Sequence, residues 1–160
     1  MRAVAFAILL AIFVPVAARA AEPAPVPDPG IRAQLDKLGY KYDIDEDGDF
    51  KLTFKVEGER TQLVYVRSQV EDYGSHRVRE IWSPAYVSDR DQFPVDIANR
   101  LLQATQDSKL GAWAKQDRYA VFVVKLPAAA SSEQLDDAIE AAIRSGDEME
   151  ASLTPGKDQF

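Results

Sequence analysis

The sequence predicts an α+β domain in which an antiparallel sheet of five to six strands packs against two to three helices. Three observations predict it. Apolar residues recur at helical spacing in separate segments, they alternate with polar residues between those segments, and turn residues separate the two regimes. Read along the chain, the order is helix, three strands, a further strand, helix, two strands, helix.

The first helix opens with Asp28 as N-cap and Pro29 at the first helical position, where a missing N–H costs nothing. Ile31, Leu35 and Leu38 follow at i, i+4 and i+7, and Gly39 stands where a left-handed C-cap is needed. From Tyr40 the period drops to two. Tyr40, Tyr42 and Ile44 lead as a strand into the turn Asp45-Glu46-Asp47-Gly48, after which Phe50, Leu52, Phe54 and Val56 alternate with Lys51, Thr53 and Lys55. That is a hairpin with one buried face. Glu57-Gly58-Glu59 turns the chain into residues 63–66, whose consecutive apolar side chains predict a central strand covered on both faces. Val78, Ile81 and Trp82 predict another strand that stops before Ser83-Pro84.

Residues 91–107 return to helical period, with Val95, Ala98, Leu101, Leu102 and Thr105 on one side and Pro94 in the first turn. Gly111 ends that segment. Residues 112–114 and 119–126 form a hairpin about Gln116-Asp117-Arg118. Ser131 and Gln134 then make a capping box for a last helix carrying Leu135, Ala138, Ile139, Ala142 and Ile143 on its apolar side. Two endings fit that helix, one at Gly146 and one at Leu153.

The domain is preceded by a leader. Arg2, an uncharged run over residues 3–14 and the sequence Ala18-Arg19-Ala20 have the form of a secretory signal peptide at residues 1–20, cleaved between Ala20 and Ala21. A retained membrane anchor is the competing reading. The run falls short of the roughly 18 to 20 apolar residues that span a bilayer, and Pro15 interrupts it, so cleavage is the expectation. Residues 21–29, with Pro23, Pro25, Pro27 and Pro29, read as a proline-rich tether that favours an extended backbone. The domain then occupies residues 30–153, with a tail at 154–160.

Composition excludes several functions. Removing 20 of 160 residues takes the net charge from −7 to −9, because the leader holds Arg2 and Arg19 and no acid. A surface that negative repels phosphate backbones and anionic lipid, which argues against nucleic acid and against stable membrane insertion once the leader is gone. The chain has no cysteine, which rules out disulfides, thiol catalysis and thiolate metal sites.

Three motifs invite chemistry. Asp43-x-Asp45-x-Asp47-Gly48 matches the opening of a calcium loop, but Phe54 stands where the bidentate carboxylate belongs and a strand follows instead of a helix. An acidic hairpin turn is the better reading. Asp72, Ser75 and the only histidine, His76, supply the residue types of a hydrolase triad within five positions, yet neighbours on an extended segment point apart and no nucleophile elbow surrounds Ser75. Carboxylate pairs at Asp136-Asp137 and at Glu148 with Glu150 read as the solvated side of the last helix. No catalytic residue, metal ligand or cofactor is assigned. Trp82, Tyr86 and Trp113 lie near segment ends and are the candidate interaction patch, with core as the alternative.

The element order resembles the YbjN-like domain, a bacterial family described as sensory transduction regulators, which looks like the type III secretion chaperones in fold. The residues that carry the likeness are 35–42 with Asp45-Glu46-Asp47-Gly48, then Ile97-Ala98-Asn99-Arg100-Leu101-Leu102, then Leu110-Gly111-Ala112-Trp113 leading into 119–127, and the helix over 131–143. The resemblance implies a non-enzymatic domain that contacts other proteins and sometimes forms a homodimer. A leader sets this chain apart from relatives that act in the cytoplasm.

The expected function is therefore an exported, periplasmic protein-binding or adaptor domain. The rivals are an envelope small-ligand or weak calcium-binding protein and an enzyme with dispersed carboxylates. The leader reading is checked by intact mass: exported protein should begin at Ala21, and a membrane-bound species retaining residues 1–20 would refute cleavage.

Overall fold

Three helices share one face of a six-stranded antiparallel sheet in the computed structural model, which describes residues 25–160. The expected leader, its expected cleavage between Ala20 and Ala21 and the first part of the tether lie outside the described residues. In chain order the elements are α1 (Pro29–Leu38), β1 (Asp43–Ile44), β2 (Phe50–Lys55), a 3-10 turn (Glu57–Glu59), β3 (Thr61–Tyr73) and β4 (His76–Val87). Then come α2 (Val95–Asp107), β5 (Ala112–Gln116), β6 (Tyr119–Pro127) and α3 (Ser132–Leu153). The sheet order is β1-β2-β3-β4-β6-β5.

Register explains the core. Phe50 pairs with Val66, Val66 with Ile81 and Ile81 with Val124, so these side chains form one row on one face. Leu52, Val64 and Phe122 extend it, and Leu35 from α1 and Leu135, Ala138 and Ile139 from α3 cover it. A smaller cluster of Ala85, Leu101, Ala120 and Met149 continues the core under α2. The caps are as the sequence predicts: the Asp28 carboxylate accepts the N–H groups of Gly30 and Ile31, Gly39 adopts a φ of 78°, and Ser131 with Gln134 forms the capping box.

Several expectations are corrected. Only Asp43 and Ile44 join the sheet from the first predicted strand, because Tyr40 and Tyr42 are drawn off to the helices. The Tyr42 hydroxyl donates to Asp36 at 2.8 Å and the Tyr40 hydroxyl donates to Asp136, while their rings meet Phe50 and Phe54 edge-on. Burial, and then the neighbouring Asp136 carboxylate, push the Tyr40 hydroxyl far above its usual range. The stretch 63–66 is not covered on both faces. Val64 and Val66 face the helices, while Leu63 and Tyr65 are half-buried on the other side, where none of the described helices packs.

β4 does not stop at Ser83-Pro84 but runs on to Val87. The proline is tolerated because the paired register between β3 and β4 ends at Tyr65 and Trp82, so no ladder bond from β3 is lost at Pro84. Side chains take over there. Gln62 Nε2 donates to the Pro84 carbonyl and to Ser83 Oγ, and Ser83 Oγ donates to the Leu63 carbonyl, each at 2.8 Å.

α2 starts at Val95 rather than Asp91, since the residue before Pro94 is kept out of helical geometry. Of the residues expected on its buried side, Leu101 faces the core, joined by Ile97 and Ala104, whereas Val95 and Leu102 are exposed. α3 continues through Gly146 to Leu153. The glycine is required rather than tolerated, because a Cβ there would sit 2.4 Å from Ser83 Oγ and 2.6 Å from Gln62 Nε2. Ile143 is only half-buried. Glu150, read from sequence as solvated, is 0% exposed, pairs with Arg60 and accepts the Gln159 N–H at 2.6 Å. That contact ties the tail to α3, and Phe160 meets the Tyr119 ring.

Asp28, at the domain end of the tether, belongs to the fold. Asp28 Oδ2 pairs with Arg79 Nη2 at 2.6 Å, and the Asp28 N–H donates to Ser68 Oγ at 3.1 Å. Burial raises the Asp28 pKa, but the Ile31 N–H and Arg79 outweigh it and hold the carboxyl below its usual value. Asp49 shifts the other way, with burial outweighing the Ser68 N–H and Arg67.

Two measurements test these packing arguments. Asn still caps a helix through Oδ1, so Asp28→Asn keeps the cap and removes the charge together with the oxygen that accepts from Arg79; it should cost about 2 kcal/mol, short of the roughly 3–5 kcal/mol of a fully buried pair because Asp28 is 28% exposed. A lowered folded pKa contributes stability above the unfolded value and loses it as pH falls. The gap between wild type and variant in chemical unfolding should therefore close as pH falls below about 4. Gly146→Ala sets a helix-propensity gain of about 1 kcal/mol against an overpacking cost of about 1–3 kcal/mol with hydrogen-bonded neighbours. The melting temperature should fall, and a rise would mean that α3 shifts freely on the sheet.

Candidate functional site: a groove between two helices

α3 presents Asp137, Glu140, Ala141, Arg144, Glu148 and Met149 along one side, with spacings of three and four that keep them in a single stripe. α2 opposes it with Arg100, Gln103, Ala104 and Asp107, which form the matching stripe. Between them lies an open groove of about 720 Å³, floored by Leu110, Trp113 and Phe122. The walls are charged and the floor is apolar.

Local sequence builds the floor. Gly111 takes a φ of 90° and admits the Phe122 ring where a Cβ would lie 2.7 Å from it. Trp113 pairs in register with Phe122 and meets it edge-on at 5.3 Å. The Trp113 backbone N–H donates to Thr105 Oγ1 of α2 at 2.9 Å, which fixes α2 over β5. The two walls differ in sign. α3 contributes three acids and Arg144, whereas α2 and the turn after it contribute Arg100 and Lys109 against Asp107.

The structure does not bring the three predicted aromatics into one patch. Trp82 pairs with Val123 and Trp113 with Phe122, and neighbouring residues of β6 point to opposite faces, so the two indoles lie on opposite sides of the sheet. The Arg67 guanidinium carbon lies over the Trp82 ring, 4.5 Å from the ring centroid, and Trp82 donates Nε1–H to Glu80 at 2.8 Å. Tyr86 packs on Phe93 and the smaller cluster at the end of β4. Only Trp113 lines the groove. Sequence reasoning missed Arg100, Glu140, Arg144 and Met149, although the i, i+4, i+8 series formed by Glu140, Arg144 and Glu148 was available as a signal.

The chemical motifs are placed apart from the groove. Ser75 lies in the turn of a β3–β4 ribbon, His76 pairs in register with Tyr73, and Asp72 forms an exposed ion pair with Arg77 at 3.5 Å. In the acidic turn the Asp45 carboxylate accepts the N–H groups of Asp47 and Asp49, and Asp49 is buried against Arg67. Among the described residues no group of three or more His, Asp or Glu side chains is placed to hold a metal ion, and no helix is long and apolar enough to cross a membrane. No family model matches the chain, and no curated protein matches it.

Proposed function

We propose that the chain is an exported protein-binding domain of YbjN type that takes an amphipathic helical segment of its partner into the groove between α2 and α3. The observation that carries this reading is an apolar floor of Leu110, Trp113 and Phe122 between two helical walls of opposite charge balance. The α3 stripe from Asp137 to Ser152 is about 22 Å long at 1.5 Å per residue, enough to seat four turns. An apolar helix face suits the floor, basic residues along one flank suit α3, and acidic residues along the other suit α2. The leader supports export, and the element order supports the family resemblance. The groove aligns no nucleophile with a base, so binding accounts for it without chemistry.

Photo-crosslinking tests the reading. A photoreactive residue at Gln103 should give discrete protein adducts in cells, and one at Thr53 on the opposite sheet face should not. Ala141→Arg, which fills the groove from its wall, should abolish the Gln103 adducts while leaving the melting curve unchanged. A second copy of the chain in the adduct would make the groove a homodimer contact. Equal adducts from both positions, or none, would refute the proposal.

A further inference from the structure

We infer that the outer edge of β3 beyond Val66 takes up an extended strand of a partner protein, one that alternates basic and apolar side chains. β2 pairs with β3 only as far as Val66, and β6 pairs with β4 only from Val78, so residues 71–77 form an exposed two-stranded arm. The tether and the acidic turn meet β3 no farther than Ser68, where the Asp28 N–H donates to Ser68 Oγ and that hydroxyl donates to the Gly48 carbonyl. From there residues 70–73 pair with β4 on one side alone. Their backbone groups alternate in direction. The Arg77 carbonyl turns away from β3 to accept the Ala128 N–H at 2.8 Å, so Asp72 opposite it turns its own N–H and C=O away from β4, and Val70 does the same two residues back. Among the described residues nothing bonds to the N–H and C=O groups of Val70 and Asp72.

A two-stranded arm is marginal alone in water, and a third strand is what this one lacks. Its base is already ordered, because Arg79 donates to the Arg67 and Ser68 carbonyls at 2.6 and 2.8 Å and pairs with Asp28, so an incoming strand meets a fixed template. Charge selects the strand. A second copy of this chain fits poorly: antiparallel pairing of the edge with itself sets Glu71 against Glu71 or Asp72 against Asp72, or else, centred on Val70, needs the Ser68 N–H that Asp49 already holds. Glu71 is the acid without a counter-ion among the described residues, since it accepts only the Gln69 amide while Asp72 pairs with Arg77. A Lys or Arg opposite Glu71 fills that place, and a second cation two residues along the same face meets the ring of Tyr73, which is 83% exposed. Apolar residues of the incoming strand then fall on the other face, against Val70.

The test is an NMR titration of the mature chain with a short peptide of alternating lysine and valine, read by amide hydrogen exchange. The Val70 and Asp72 amides should exchange fast in the free chain and at least about tenfold more slowly with saturating peptide. The same peptide N-methylated at every residue keeps its side chains and charge but has no N–H to donate, and it should not bind. Glutamate in place of lysine should also abolish binding. Glu71→Lys should weaken the affinity at least about tenfold. Asp72→Pro removes an outward N–H and none of the ladder to β4, and should weaken binding where Asp72→Asn, which keeps the N–H, does not. Ala141→Arg, in the groove, should leave the affinity unchanged, so this proposal and the helix-binding one fail separately. If Asp72→Pro lowers the melting temperature, the N-methylated peptide and Glu71→Lys decide. Equal binding of the N-methylated peptide, unchanged affinity in Glu71→Lys, or no saturable protection of Val70 and Asp72 at low salt would overturn the inference.

Discussion

The fold depends on how the sheet accommodates a surplus in β3. Between the pairs Val66–Ile81 and Val70–Arg79, residues 67–69 of β3 oppose only Glu80 of β4. Such a bulge breaks the ladder and exposes carbonyls that need donors. Arg79 supplies them, donating to the Arg67 and Ser68 carbonyls, and its charge then needs a counter-ion inside the protein. Asp28 provides it with one carboxylate oxygen while the other caps α1. Asp49 completes the arrangement by accepting the Ser68 N–H and pairing with Arg67. One local irregularity thus fixes the start of α1, the end of the tether and the direction in which the ribbon leaves the sheet.

A second constraint sets α3 on the sheet. The helix approaches closely enough at Gly146 that a methyl group would strike the Gln62–Ser83 pair. That pair joins β3 to β4 beyond the end of their backbone pairing, at Ser83 and Pro84, so the glycine, the proline and the two polar side chains form one solution to a single packing problem. Farther along, the buried Glu150 joins Arg60 at the start of β3 to Gln159 of the tail. The tail therefore contributes Phe160 to the end of the sheet instead of trailing into solvent.

Local signals were legible in the sequence, and long-range ones were not. The Asp28 cap, the Gly39 stop, the acidic turn and the Ser131–Gln134 box act within a few residues and stand where the pattern places them. The ends of β3 and β4 were missed because a projecting ribbon has no buried face and leaves no alternation to read. Gly74-Ser75, with Gly74 at a φ of 59°, was the available hairpin signal. Val95 and Leu102 were assigned to the core because periodicity fixes which residues share a stripe but not which stripe meets the sheet. Whether Trp82 and Trp113 share a face depends on β6 register, which neither strand's own sequence contains. The groove needs two helices separated by a hairpin, so its walls could be read singly but not as a pair.

Edge chemistry bears on whether another chain can add a strand to this sheet. Gln116 and Tyr119 flank the two-residue turn of the β5–β6 hairpin, so alternation turns the backbone groups of Trp113 and Lys115 outward at the sheet edge. An open edge of that kind invites strand addition. It is closed here, because Thr105 of α2 accepts the Trp113 N–H and Lys115 places a charge beside it. The opposite edge, β1, is only two residues long. A partner that added a strand at β5 would have to displace α2. Along that edge the contacts left to a partner are through side chains, and the same α2 that closes it forms one wall of the groove over Trp113.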